Sequence, residues 1–200
     1  MTKHEPAETR RRQIAEALLS SVAEHGIAGA TLADVADRAG VSVGLVQRHF
    51  RTKDELLRFG IEHVEEQAVA RVQALEITFP LRGFIQQLLE CFLPLDQARA
   101  HEQRFWLTFL HRCYTDEAVA AIYREATTGM IVGLEEALAG AQRREELAAD
   151  VDVDQVARSL VAFVDGLCMH HAADASLYPA ESLPHLLSAQ LDLVFTGGGR

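Results

Sequence analysis

Residues 31–57 read TLADVADRAGVSVGLVQRHFRTKDELL, and the capping residues in this stretch predict a succession of short helices. Thr31 and Asp34 form an approximate capping box, which begins the first of them. Gly40 is placed to end that helix, since glycine adopts a positive φ angle without steric cost. Ser42 is expected to cap the next helix. Two short helices joined by a glycine-containing turn have the arrangement of a helix-turn-helix unit.

Longer helices are predicted on both sides of this unit. The segment TKDE at 52–55 is a complete capping box, and apolar residues recur after it at helical spacing to near Thr78. Before the unit, a helix is expected from about Ala7 to His25, with Gly26 ending it. The apolar residues of the unit are predicted to pack on that first helix: Leu32, Val35, Ala36, Val41, Val46 and Phe50 against Leu18 and Val22.

The opposite face of the unit carries no negative charge. Residues 40–53 contain no carboxylate, although the chain has a formal net charge of −10. The second helix of such a unit enters the major groove of DNA, where glutamine pairs with adenine and an apolar side chain meets the thymine methyl group. A glycine near the helix start lets the backbone approach phosphate. The residues expected to face DNA are Ser42, Val43, Gly44, Gln47, Arg48, His49 and Lys53.

The distribution of charge also separates two parts of the chain. Residues 1–60 contain nine Lys/Arg and eight Asp/Glu, whereas residues 61–200 contain ten and 21. A nearly neutral amino-terminal part with a local basic face fits nucleic acid, and the acidic remainder does not. By periodicity alone, residues 31–50 fit an ordinary helical hairpin with a solvated basic face equally well.

Strand patterns are almost absent, so the predicted fold class is all-α with about nine helices. We divide the chain after residue 51, into a three-helix part at 1–51 and a helical part at 52–200. Gly140 is expected to end a helix, and the charged segment 141–151 to form a loop. The further helices are predicted at about 81–93, 96–113, 116–139, 153–173 and 182–196.

Several classes of protein are disfavoured. The chain has no apolar run long enough to span a membrane and no apparent signal peptide, and its three cysteines are widely spaced, so we expect a cytoplasmic protein with reduced thiols. His170 and His171 next to Cys168 project about 100° apart on a helix, which argues against a shared metal ion. No cofactor or catalytic motif is found.

The stretch quoted above resembles the DNA-binding signature of the tetracycline-repressor (TetR) family of bacterial regulators, and the likeness extends over residues 10–60. The resemblance implies that 1–51 is a three-helix DNA-binding domain, that 52–200 is a helical effector-binding and dimerisation domain, and that the protein is a homodimer. It also implies phosphate contacts from Thr31, Gly44, His49 and Lys53. Ser42, Val43 and Gln47 would lie at base edges, although many members carry a phosphate-binding tyrosine at the position of Gln47, so its contact stays open between base and phosphate.

The segments LPLDQARAHEQRFWLTFLHRC and ADVDVDQVARSLVAFVDGL are similar, more loosely, to the choline/betaine-pathway repressors of that family. The family body opens an apolar pocket with a few polar groups. An acidic residue such as Asp165 would favour a cationic ligand, although a helix cap or a partner arginine explains it equally well. The stripes of aromatic residues also fit a plain core. The candidate effector-binding residues are Trp106, Phe109, Cys113, Tyr123, Met130, Phe163, Asp165 and His170.

The last two predicted helices are apolar over broad faces, which fits burial on more than one side. Packing on the body and on a symmetry mate would form a four-helix dimer interface. Additional core helices are the alternative. The candidate interface residues are Leu160, Val164, Leu167, His171, Leu187, Leu191 and Val194.

The sequence therefore predicts a ligand-responsive, homodimeric transcriptional regulator, a repressor released from a pseudo-palindromic operator by a small molecule. Two alternatives come from other classes: a helical scaffold that has lost DNA binding, and an enzyme built on an all-α body. The identity of the small molecule does not follow from the sequence.

Overall fold

The computed structural model describes residues 7–196, and this part of the chain contains helices and no strand, which confirms the all-α prediction. Two short 3₁₀ helices lie at His111–Tyr114 and Ala180–Ser182. The α-helices are α1 Ala7–Gly29, α2 Leu32–Arg38, α3 Val43–His49, α4 Lys53–Gln73, α5 Leu81–Glu90, α6 Gln97–Leu110, α7 Glu117–Arg143, α8 Val153–Ala173 and α9 Leu183–Thr196.

Side-chain caps fix the starts of the three helices that follow α1. The hydroxyl oxygens of Thr31, Ser42 and Thr52 each accept a hydrogen bond from the backbone N–H three residues later, at 3.1, 3.2 and 3.0 Å. Gly40, between α2 and α3, has φ 64°, a conformation that other residues adopt at a steric cost. Gly26 has φ 69° and interrupts α1 where the sequence predicted its end. These local signals predicted the amino-terminal helices correctly.

Two predicted helix ends are wrong, and packing explains both. α4 ends at Gln73 rather than near Thr78, and beyond it Ile77 and Phe79 stay largely exposed, with the Phe79 ring against the Arg144 guanidinium at the surface. α7 continues through Gly140 to Arg143. A Cβ atom at position 140 would lie 3.2 Å from the Leu81 side chain, so glycine serves there for the close approach of α5 rather than as a helix stop.

The buried apolar residues form two clusters. The carboxyl-terminal cluster is built from α5, α7, α8 and α9. The amino-terminal cluster joins α1, α2 and α3 to the first half of α4, and it includes Phe105 and Phe109 from α6. A Cβ atom on Gly60 of α4 would lie 2.4 Å from the Phe105 ring, so α4 and α6 approach closely there. The proposed domain boundary after residue 51 therefore falls inside one hydrophobic cluster.

Candidate functional sites

The residues predicted to contact DNA lie mainly on the solvent side of α3 and its flanking turns. Thr31, Ser42, Gly44, Gln47, Arg48 and Lys53 are exposed, and His49 is half-buried. Val43 is 38% exposed, so its side chain is available for an external contact. The inward residues Val46 and Phe50 are buried, as predicted. The unit therefore separates an apolar inner side from an outer side on which residues 40–53 contribute no carboxylate.

Lys53 has an intramolecular role that the sequence did not predict. Its ammonium nitrogen donates hydrogen bonds to the carbonyl oxygens of Ile27 at 2.6 Å and Ala30 at 2.8 Å. These carbonyls belong to the end of α1 and the turn before α2, so Lys53 joins that turn to the first residue of α4. An ammonium group has three N–H donors, and one remains for a phosphate.

Two arginines that the sequence reading missed hold the helices of this unit together. The Arg38 guanidinium binds Glu24 at 2.7 Å and Asp34 at 2.9 Å, which ties α2 to α1. The hydrogen bonds that Arg38 donates to the Glu24 carboxylate lower the pKa of Glu24. The Arg11 guanidinium lies 5.0 Å from the ring centre of Phe50 and 4.5 Å from that of Phe59. The contact of Arg38 with Glu24 and those of Arg11 with the two rings join segments that are distant in sequence, so local patterns gave no signal for them.

A cleft that is partly open to solvent lies among α4, α6, α7 and α8, and its cavity volume is about 90 Å³. Four of the predicted effector-binding residues line it: Trp106, Tyr123, Met130 and Asp165. The rings of Trp106 and Tyr123 have centroids 5.9 Å apart and form one aromatic wall. We refer to this cleft as the effector cavity. Its remaining lining residues are Val64, Glu65, Ala68, Arg71, Phe92, Glu102, Gln103, Ala126, Thr127, Val161, Val164 and Cys168.

The other four predicted effector residues lie elsewhere. Phe109 and Cys113 line a neighbouring recess with a cavity volume of only about 10 Å³, which shares Trp106 and Tyr123 with the effector cavity. Phe163 is half-buried and packs against the carboxyl-terminal cluster. His170 is exposed, and its ring stacks on Tyr178 with centroids 4.8 Å apart. The aromatic stripes of the sequence thus include both cavity wall and ordinary core.

The charged residues of the effector cavity are mostly ones that the sequence reading missed. The Glu102 side chain on α6 is 8% exposed. Its carboxylate accepts hydrogen bonds from both terminal nitrogens of Arg71, at 2.7 and 3.2 Å. Burial raises the pKa of Glu65 on α4, and the nearby carboxylates of Glu125 and Glu62 raise it further. The sequence contained a signal for Glu65, because this acidic residue lies on the same face of α4 as the apolar residues Ile61 and Ala68.

Asp165 contributes a further carboxylate to the cavity, from α8. Asp165 is an exposed residue at the cavity edge, and partial desolvation by its neighbours raises its pKa. An aromatic wall combined with carboxylates that lack a counter-charge is the chemistry that binds organic cations.

Residues 7–196 contain neither a candidate metal site nor a helix suited to crossing a membrane. No group of three or more His, Cys, Asp or Glu side chains there is arranged to hold a metal ion. His171 forms a hydrogen bond of 2.8 Å with the carbonyl oxygen of Tyr178, while His170 stacks on the Tyr178 ring. None of the helices in this range has both the length and the apolar character that crossing a bilayer requires.

The structure directs most of the predicted dimer residues inward, because α8 and α9 pack against α5 and α7. Leu160, Val164, Leu167, Leu187 and Leu191 are buried in the chain's own core, so they are unavailable to a partner. His171 and Val194 are half-buried. The large apolar residues that these two helices expose are others, namely Met169, Leu186 and Leu193.

Comparison with known sequences and structures establishes the family. Residues 14–58 match the family "Bacterial regulatory proteins, tetR family", and residues 82–196 match "BetI-type transcriptional repressor, C-terminal". The HTH-type transcriptional regulator PksA of Bacillus subtilis is 30% identical over 176 residues, which cover 87% of this chain and 84% of that protein. The chain belongs to the tetR family, and it is a ligand-responsive, DNA-binding transcriptional regulator.

Solved structures share the complete fold. A transcriptional regulator from Rhodococcus is 33% identical and superposes with a TM-score of 0.81, covering 94% of this chain and 96% of that one. A transcriptional regulator from Saccharomonospora viridis, solved in complex with choline, superposes with a TM-score of 0.77 over 94% of this chain and 97% of its own. The latter is 21% identical, so it establishes similarity of fold.

Proposed function

We propose that this regulator is a homodimeric repressor of a pseudo-palindromic operator, and that an organic cation in the effector cavity releases it from DNA. The observation that carries the effector class is the composition of the cavity: Glu65 and Asp165 face a space walled by Trp106 and Tyr123. The choline found in the similar Saccharomonospora viridis regulator is a cation of this kind.

The proposed operator contacts are those on the outer side of the helix-turn-helix unit. Ser42, Val43 and Gln47 occupy the amino-terminal part and outer side of α3, where recognition helices meet base edges. The proposed phosphate contacts are Thr31, Gly44, Arg48, His49 and Lys53. Two such units must lie about 34–36 Å apart to enter successive major grooves.

The proposed dimer joins the outer faces of α8 and α9. Met169 is 51% exposed and Leu193 is 69% exposed, and burial against a second copy would remove this apolar area from water. Leu193→Glu, a charge at the centre of this face, is expected to convert a dimer into monomers in sedimentation experiments. Glu136→Gln, an exposed change on α7, serves as the control. Unchanged sedimentation of Leu193→Glu would place the interface elsewhere.

Operator binding is tested with a fragment selected from genomic DNA. Charge reversal of Arg48 and Lys53 to glutamate is expected to lower affinity by more than about 100-fold, because two phosphate contacts become repulsive. Arg124→Glu alters an exposed arginine on α7 and should leave binding nearly unchanged. Equal losses in both variants would mean that net charge, rather than the α3 face, governs binding.

The effector class is tested with choline and its uncharged isostere 3,3-dimethylbutan-1-ol, together with tetraethylammonium and benzyltrimethylammonium. Binding to the folded state raises the melting temperature. We expect at least one of the cations to raise it and to release the operator, and the uncharged alcohol to do neither. Equal shifts with choline and the alcohol, or no shift with any cation, would exclude this effector class.

A further inference from the structure

A second cleft lies between α1, α4 and α6, and we refer to it as the α1 cleft. Its cavity volume is about 210 Å³, against about 90 Å³ for the effector cavity. Glu102 borders both spaces. The other polar side chains of the α1 cleft are Glu16 from α1, His63 and Gln67 from α4, and His101 from α6. A space of this size is well above what a single water molecule requires.

His63 is the buried polar group of the α1 cleft. It is 3% exposed, and its Nδ1 atom has no hydrogen-bond partner in the described structure. Burial lowers the pKa of His63 and so does Arg12, while the carboxylates of Glu16, Glu102 and Glu66 oppose the shift. The ring is therefore neutral at neutral pH and carries one nitrogen with a free lone pair. A buried polar atom without a partner is unfavourable, so a ligand that donates to it is bound preferentially.

The charge at the α1 cleft favours a cation. Glu16 is exposed at its rim and forms no ion pair with any other residue of 7–196. The Glu102 carboxylate is engaged by Arg71, as described above, and the ring of His101 lies 2.7 Å from the amide nitrogen of Gln97. No lysine or arginine lines the cleft. Its side chains are also not arranged, within 7–196, to hold a metal ion. A cationic ligand with N–H donors matches this set of acceptors.

We propose that the α1 cleft is a second ligand site, which binds a small primary ammonium compound through the His63 ring and the Glu16 carboxylate. A primary ammonium group has three N–H donors, enough for both acceptors. A quaternary ammonium group has no N–H, so it cannot satisfy His63, whereas an aromatic wall such as that of the effector cavity suits it. The two cavities thus differ in whether the cationic nitrogen is methylated. This proposal depends neither on the effector class nor on release from DNA.

Ethanolamine and choline test the proposal, because they share one skeleton and differ in three N-methyl groups. Nuclear magnetic resonance of the histidine side chains reports binding, with the His63 signals assigned by their loss in His63→Leu. Ethanolamine is expected to shift the His63 signals at millimolar concentration, since its four non-hydrogen atoms limit its affinity. Choline should leave these signals unchanged. Unchanged His63 signals at saturating solubility of ethanolamine would overturn the proposal.

Two variants locate the bound ammonium group. Glu16→Gln should weaken ethanolamine binding at least about fivefold in calorimetric titration, because it removes a charge-assisted hydrogen bond. Glu136→Gln, an exposed change on α7, is the matched control. His63→Leu should abolish ethanolamine binding without lowering the melting temperature, because the ring nitrogen that it removes has no partner. If circular dichroism shows that His63→Leu does not fold, the exposed position of Glu16 still decides the proposal.

The same titrations separate the α1 cleft from the effector cavity. Equal ethanolamine affinities of Glu16→Gln and Glu136→Gln would overturn the proposal. So would ethanolamine binding that is lost in Asp165→Asn and retained in Glu16→Gln, since the ammonium group would then lie in the effector cavity. Ethanolamine binding in the α1 cleft without binding of any quaternary cation would support the second site and exclude the effector class proposed above.

Discussion

The DNA-binding surface and the effector cavity are built in opposite ways. The proposed DNA contacts lie within residues 31–53, and hydrogen bonds to Thr31, Ser42 and Thr52 fix the helices that carry them. The cavity wall is drawn from four helices and the segment before α6, between Val64 and Cys168. A surface fixed by local bonds keeps its shape, whereas a cavity between helices changes whenever those helices move. This difference suits a protein that joins a DNA-binding surface of fixed shape to a ligand cavity of variable shape.

The two regions are nevertheless joined by one hydrophobic cluster. Phe105 and Phe109 of α6 pack with the helices of the DNA-binding unit, and their rings have centroids 4.8 Å apart. α6 also carries Trp106 and Glu102, which line the effector cavity. The DNA-binding surface and the effector cavity are therefore two surfaces of one continuous structure.

The largest effect is expected from Phe105→Ala. Phe105 is fully buried against Gly60 of α4, and removing a buried phenyl ring costs about 3–5 kcal/mol. Because the ring belongs to the amino-terminal cluster, the loss should lower the melting temperature of the whole chain in calorimetry. Leu177→Ala, at a position that is 73% exposed, should change stability by less than about 0.5 kcal/mol. A separate transition of the DNA-binding unit, unaffected by Phe105→Ala, would show that the shared cluster does not couple the regions.

The next effect separates two basic residues of the DNA-binding surface. Lys53→Gln removes two hydrogen bonds to backbone carbonyls and should lower the free energy of unfolding by about 1.5 kcal/mol. Arg48→Gln should leave stability unchanged, because Arg48 is exposed and no intramolecular partner is described for it.

Both variants should also reduce the slope of log affinity against log salt by about 0.9, the value of one phosphate contact. Fluorescence anisotropy across a salt series measures this slope. Weaker binding of Lys53→Gln at an unchanged slope would instead assign Lys53 a purely structural role.

A smaller effect of opposite sign is expected from Gly44→Ala. A Cβ atom at position 44 would meet nothing within 4 Å, so the fold does not require glycine there. Alanine is a better helix former, and the variant should gain up to about 1 kcal/mol in stability. The proposed approach of the backbone to phosphate would be obstructed, with roughly tenfold weaker operator binding. Unchanged affinity would remove Gly44 from the DNA contacts.

The smallest effect concerns pH at the junction of α1, α4 and α6. His63 is 3% exposed, and its Nδ1 atom has no hydrogen-bond partner in the described structure. Burial lowers the pKa of His63, while the carboxylates of Glu16, Glu102 and Glu66 oppose this shift.

Since the unfolded chain then binds the proton more readily, His63 destabilises the folded state as the pH falls below about 6.5. The wild type should lose more stability than His63→Gln between pH 6.5 and 5.5, by at most about 1 kcal/mol. Urea unfolding at both pH values measures the difference. Parallel losses in the two proteins would show that His63 does not contribute.

Sequence patterns predicted what local interactions decide. The caps at Thr31, Ser42 and Thr52 and the bounds of α8 are confirmed. They could be predicted because each depends on residues within a few positions of one another. The end of α4 and the role of Gly140 were predicted wrongly, because Ile77 and Phe79 beyond Gln73 stay largely exposed instead of continuing a buried helix face, and because Leu81 approaches α7 from far along the chain.

The sequence by itself determined the helix-turn-helix unit, its carboxylate-free outer side and the membership of the tetR family. Only the tertiary structure decided which faces of α8 and α9 point inward, and which carboxylates enter the effector cavity with or without a partner. Helical periodicity gives the faces of a helix but not the neighbour of each face. That neighbour is set by how the helices of residues 7–196 pack together, so the pairing of Glu102 with Arg71 emerges only in the folded chain.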